Sequence, residues 1–270
     1  MRIPLLAPLS AVMAGALAAV LFTGTAHAAP SPYTSVLTKN ALYKAGKPGV
    51  RTCAEPEVRT GSVEEAELYF ETVKDCLDRA WAPVVRKAGH RFTKPAFKII
   101  TKPGVKNRCG RFPGGAQAAY CPLDRSITFL LSPNIVEEPT DLALMQVLAH
   151  EYGHHVQQLT GIMKAADRVM SKGSEDRSLA ALRRLELQAQ CMSGAFVGRV
   201  WDSLGRPDSD WSILTKGTHN AVALDAIGVR SGSDRTHGSD KANAYWLQRG
   251  FTSQSAGSCN TWTSSAAQVR

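Results

Sequence analysis

"LAHEYGHHVQQLTG", residues 148 to 161, is the stretch whose reading decides the fold. His150 and His154 stand four apart with Glu151 between them, and His155 follows directly. On a helix, residues four apart differ by about 40° and lie one turn apart. Both imidazoles then reach one point at the roughly 2.0–2.1 Å that zinc–nitrogen bonds require. Glu151 falls beside that line, where it touches a water on the metal without binding the metal. This is the physical content of the pattern H-E-x-x-H. Zinc lowers the pKa of such a water to about 7. Glu151 is expected to take its proton and pass it to the leaving amine. A plain polar helix face accounts poorly for two histidines and a glutamate at ligand spacing.

The motif sits inside a helix expected from about Thr140 to Thr160. Leu142, Met145, Leu148 or Ala149, Tyr152, Val156 and Leu159 keep a helical apolar period, and Gly161 is the stop signal. Gly153 costs about 1 kcal/mol against alanine at such a position. It predicts close approach of another backbone or of substrate. His155 is about 100° off the ligand line and reads as a packing or supporting histidine.

A catalytic zinc usually takes three protein ligands and keeps one place for water. The best candidate for the third is Glu186 in "LRRLELQAQC", a carboxylate amid Leu182, Leu185, Ala189 and Met192. A buried carboxylate is costly unless paired or metal-bound. His237, in "THGSD", is the second candidate ligand. His237 and Tyr245 are also candidates for stabilising the oxyanion, a role that needs donors about 3 Å from the developing charge.

Working outward, the chain opens with "MRIPLLAPLSAVMAGALAAVLFTGTAHAAP". One positive charge precedes an apolar run, and Ala26 and Ala28 fit a signal-peptidase site. The run is short for a membrane span of about 20 residues. A signal peptide over 1–28, cleaved after Ala28, is therefore expected, with secretion and no stable membrane insertion afterwards. Residues 29–61, rich in Pro, Gly, Ser and Thr, read as an irregular arm, and 62–270 as one domain. A helix is expected over 62–80, with Ser62 and Glu65 as capping residues and Pro83 bending or ending it. "AFKIIT" (96–101) reads as a strand, and "AAYC" and "SITFLL" as a hairpin about "PLDR". Further helices are expected over about Ser178–Leu204, Ser209–Gly228 and a last segment capped by Ser239. Lys164 to Ser178 and "RSGSDRTHGSD" are expected to be loops. Helix, small sheet, then helices make an α+β class.

The six cysteines, Cys53, Cys76, Cys109, Cys121, Cys191 and Cys259, lie behind the export signal and read as three disulfides. "CGRFPGGAQAAYC" favours Cys109–Cys121. No CxxC pair is present, which argues against zinc fingers. The formal net charge is +9. It favours acidic partners such as cell-wall polymers, but there is no nucleic-acid motif and no dense Lys/Arg block. A basic secreted surface is the favoured reading.

"HEYGHHVQ", "RRLELQAQCMSG", "HGSD" followed by "YWLQRGF", and "CNTW" come in the order seen in the neutral zinc metallopeptidase family, which the chain resembles from about Asn40 to Trp262. "NALYKAG" and "YCPLDRSITF" are also similar to that family. The resemblance implies a zincin-like α+β fold, one Zn2+ held by His150, His154 and Glu186, and Glu151 as general base. It also implies a Cys191–Cys259 bond and a protein or peptide substrate. One position departs. The family's helix usually reads E-L-Q-A-D-C, and here Gln190 stands where that Asp supports a metal histidine. Glutamine still accepts a hydrogen bond from imidazole, without the charge, so weaker support and lower activity are expected. Two functions follow: a secreted zinc peptidase, or a weak or inactive zinc-binding protein of the same fold acting as an extracellular or cell-wall binding module.

Overall fold

The computed structural model describes residues 32–113, 116–140, 142–217 and 236–270. The expected signal peptide, residues 218–228 of the expected Ser209–Gly228 helix and the first half of the "RSGSDRTHGSD" loop lie outside them.

The arm carries a short helix, α1 (Ser35–Thr38), and a 3-10 turn (Ala41–Lys44). Leu37, Leu42 and Cys53 bury themselves in the main core. Helix α2 (Val63–Lys87) starts as the capping residues predict: the Glu65 N–H donates to the Ser62 hydroxyl. It does not stop at Pro83 but runs on to Lys87. Proline removes one N–H from the ladder. The arm crosses at that point, where the Gly49 N–H donates to the Ala80 carbonyl at 2.8 Å. A Cβ on Gly49 would meet Pro83 Cγ at 2.4 Å, so only glycine lets the two segments touch.

Five strands follow: β1 (Ala96–Ile100), β2 (Lys106–Asn107), β3 (Gly110–Arg111), β4 (Ala118–Cys121) and β5 (Ser126–Leu130). β1 pairs parallel with β5, and β5 antiparallel with β4, giving the order β1-β5-β4. The expected hairpin is thus present, and β4 is an edge. Side chains alternate across a sheet. Phe97, Ile99, Ile127, Phe129 and Tyr120 belong to the core shared with the helices. Ile100, Ala119 and Leu130 turn the other way and pack with Val105, Phe112 and Ala116 in a second, small cluster. β2 and β3 form a separate antiparallel ribbon.

The remainder is helical: α3 (Pro133–Glu137), α4 (Leu142–Leu159), α5 (Ile162–Lys172), α6 (Glu175–Leu204), α7 (Asp208–Gly217) and α8 (Asp240–Ser253). Three 3-10 turns close the chain. The expected loop from Lys164 to Ser178 is mostly helix. Ile162, Ala165, Ala166 and Val169 are buried at helical spacing, which seats α5 on the core. Among the described residues no helix is long and apolar enough to cross a membrane.

All six cysteines pair, as Cys53–Cys76, Cys109–Cys121 and Cys191–Cys259. Such bonds persist in an oxidising environment, which fits an extracellular setting. The class is α+β, dominated by helix.

Candidate metal centre

Helix α4 is buried on nearly every side, and His150, Glu151, His154 and His155 are all buried. α6 supplies the facing wall. The two helices come close at Gly153, where a Cβ would stand 3.0 Å from Ala189 Cα and 3.1 Å from its carbonyl oxygen. The costly mid-helix glycine is therefore explained by backbone approach. That approach carries Glu186, less than one turn before Ala189, against the two histidines.

Glu186 Oε2 lies 3.2 Å from His150 Nε2 and 3.1 Å from His154 Nε2. One ligand atom from each of the three residues falls within 4.8 Å of the others. Ligand atoms bonded at about 2.0–2.1 Å to a tetrahedral zinc stand about 3.3 Å apart. The donor set therefore fits such an ion in spacing and in chemistry: two imidazole nitrogens and one carboxylate oxygen.

The far side of each ring is also committed. His150 Nδ1 lies 3.1 Å from Gln190 Oε1, which also accepts from Gln146 Nε2 at 2.8 Å. An amide oxygen only accepts, so His150 Nδ1 donates to it, and Nε2 is the nitrogen that can take a metal in place of its proton. His154 repeats the arrangement with Gln157 Oε1 at 2.9 Å. Gln157 is held in turn by the Leu185 carbonyl and by Gln188 Oε1, at 2.7 and 3.1 Å. Gln188 continues to the Tyr43 hydroxyl on the arm. Both rings thus present Nε2 to the common point.

Charge follows the same geometry. Burial alone would lower His154, but the Glu186 carboxylate beside it, with Glu151 further off, carries it up to about 9 in the metal-free protein. Burial pushes Glu186 up, and the His154 charge with hydrogen bonds from both rings outweighs it, leaving the carboxyl well below its usual range. His237 approaches the cluster as well, with Nε2 3.5 Å from Glu186 Oε2 and Nδ1 2.8 Å from the Thr236 hydroxyl. Burial lowers its pKa against the pull of Glu186.

Glu151 is held separately. The backbone N–H of Tyr120, on edge strand β4, donates to Glu151 Oε2 at 2.7 Å. The Tyr120 ring crosses to His155, whose Nδ1 lies 3.1 Å from the hydroxyl. His155 Nε2 lies 2.7 Å from the Thr93 carbonyl, an acceptor, so Nε2 carries the hydrogen and the tyrosine donates to Nδ1. Burial lowers the His155 pKa to about 4, which keeps the ring neutral. His155 thus supports the strand beside Glu151. Tyr245 is placed elsewhere: it is exposed, and its hydroxyl accepts from Gln268 and Arg249. It is not among the residues brought to the cluster.

Gln157, Gln146 and Tyr120 were not singled out from sequence. Gln157 had a signal, three residues after His154 on one helix face. Tyr120 had none, since only strand pairing brings it to α4.

The family model described as "Putative neutral zinc metallopeptidase" matches residues 32–262. "Uncharacterized protein YpfJ" of Escherichia coli strain K12 is 26% identical over 219 residues, covering 74% of this chain and 72% of that protein. "Uncharacterized protein Rv2575" of Mycobacterium tuberculosis is 24% identical over 231 residues, covering 77% and 75%. No solved structure gives a significant match. The match spans the arm, both helices of the histidine–glutamate cluster and the last disulfide, so the chain belongs to the neutral zinc metallopeptidase family.

Proposed function

We propose that this protein is an exported, zinc-dependent peptidase of zincin-like fold, with His150, His154 and Glu186 as the metal ligands and Glu151 as the general base. A protein or peptide is its substrate. One observation carries the reading: Glu151 is buried beside the three-residue donor set but is no part of it, and it is held by a strand amide. A purely structural metal site has no use for such a carboxylate.

Zinc supplies Lewis acidity there, making water acidic and polarising the scissile carbonyl. The chain does the rest. Gln190 and Gln157 hold both imidazoles with Nε2 toward the ion. The Tyr120 amide fixes one oxygen of Glu151 and leaves the other to accept a proton from water and return it to the leaving amine. To His237, whose Nε2 lies 3.5 Å from Glu186 Oε2, we assign the role of meeting negative charge on the substrate oxygen. Its side chain is 27% exposed, against 12% for Glu186.

A second reading is a zinc-binding protein of the same fold with weak or no turnover, acting as an extracellular or cell-wall binding module. Gln190 favours it, since a neutral amide supports a ligand histidine less than a carboxylate does. Glu151→Gln separates the two. The peptidase reading expects zinc content unchanged and cleavage of a peptide library reduced by about 10²–10⁴-fold. Stoichiometric zinc with no cleavage by either protein establishes the binding module instead.

A further inference from the structure

The positive charge of the chain is not spread evenly. Residues 79–123 hold ten Lys and Arg and no Asp or Glu, leaving 22 Lys and Arg against 23 Asp and Glu elsewhere. The whole excess therefore sits on the end of α2, on β1 and on the segment that carries the ribbon. Lys98, Lys102, Lys106, Arg108 and Arg111 are exposed. Among the described residues none of these five side chains pairs with a carboxylate.

The ribbon concentrates this charge. Lys106 and Arg111 stand directly opposite each other across β2–β3. Like charges in that register destabilise a strand pair. The ribbon is held regardless by the Cys109–Cys121 bond, by the Ile100–Phe112–Ala116 cluster and by the Asp124 carboxylate. That carboxylate accepts from the Arg108 backbone N–H at 3.3 Å and from Ser126, not from the cations. A cation pair is thus pinned where an arriving anion would relieve it.

Its place matters as much as its charge. Cys121 follows Tyr120, whose amide touches Glu151. The Cys109 and Cys121 Cα atoms are 5.7 Å apart. Consecutive Cα atoms lie about 3.8 Å apart, so the Cys109 Cα, at the ribbon's turn, stays within about 10 Å of the Tyr120 Cα. Exposed charges act over about 10 Å at 0.1 M salt.

We infer that the β2–β3 ribbon selects acidic polypeptides, with Lys106, Arg108 and Arg111 meeting carboxylate side chains of a substrate lying along the metal centre. This rests on the peptidase reading above and names its substrate class. A wall polymer is the less favoured occupant, because the ribbon is bonded to the strand that holds the base.

The test uses the zinc-loaded full-length mature chain carrying Glu151→Gln, with fluorescence anisotropy of a labelled Glu-rich peptide and its Gln-substituted counterpart. The Glu peptide is expected to bind about 10-fold tighter at low salt, with the difference collapsing as salt rises. Adding K106Q, R108Q and R111Q should abolish the difference, whereas R168Q with K172Q on α5 should leave it. If the melting curve shows that R111Q loosens the ribbon, K106Q with R108Q carries the test. Equal binding of the two peptides overturns the inference. So does equal loss with the α5 control, or binding of poly(glycerol phosphate) in place of either peptide. A wild-type protein that cuts no peptide overturns the peptidase reading, and the anisotropy still decides whether the ribbon takes acidic chains.

Discussion

At the scale of single residues, the centre is a set of hydrogen-bond commitments. Two glutamine oxygens orient two imidazoles, and each leaves one nitrogen for a metal. Such outer partners commonly change affinity or activity by 10–100-fold. Gln190→Leu should therefore weaken zinc binding by about 10–100-fold in a chelator competition. Gln190→Asp, which keeps the acceptor and adds a charge, should tighten it. Unchanged affinity in both variants would remove Gln190 from the support of His150. His150, Glu151 and His154 are legible in sequence because helical spacing alone places them. Gln190 is legible through the family's pattern, which also supplies the expectation of Asp. Gln157 and Tyr120 are not: an amide next to an amide in "VQQL" carries no mark of its partner, and Tyr120 acts through its backbone.

At the scale of elements, the decisive contact is that of α4 with α6. Gly153→Ala gains about 1 kcal/mol in helix propensity. It also places a methyl group 3.0 Å from the Ala189 backbone, which cannot rotate away. Overpacking of this kind costs about 1–3 kcal/mol, so the variant should be less stable by roughly 1 kcal/mol. Since α6 carries Glu186, chelator competition should show weaker zinc binding as well. A variant that melts higher with unaltered zinc affinity would show that the close approach is incidental. The element borders explain two departures from the sequence reading. Pro83 lies inside α2, and the arm packs against that turn, where the Gly49 N–H donates to the Ala80 carbonyl. α5 is a helix rather than a loop because Ile162, Ala165, Ala166 and Val169 form one buried stripe, with Lys164, Asp167, Arg168 and Lys172 on the exposed side.

At the scale of the whole molecule, three disulfides tie the arm to α2, the ribbon to edge strand β4 and the tail to α6. Their loops differ in length: 68 residues separate Cys191 from Cys259, and 12 separate Cys109 from Cys121. Chain-entropy arguments give about 4 kcal/mol for the longer loop and about 3 kcal/mol for the shorter. Urea unfolding of paired Cys→Ala variants should preserve that order, and the reverse order would show that native packing outweighs loop length. The sequence by itself determined the helical spacing of His150, Glu151 and His154, the α+β order of elements and the even cysteine count. Each depends on spacing along one helix or on local pattern. Tertiary structure decided which outer groups hold the histidines, which strand amide meets Glu151, that Tyr245 stays on the surface, and that the cationic ribbon is bonded to the strand next to Tyr120. Among those contacts, Tyr120 and Glu151 stand 31 positions apart and Gln146 and Gln190 stand 44 apart. Only the packing of α4 between an edge strand and α6 brings such residues together.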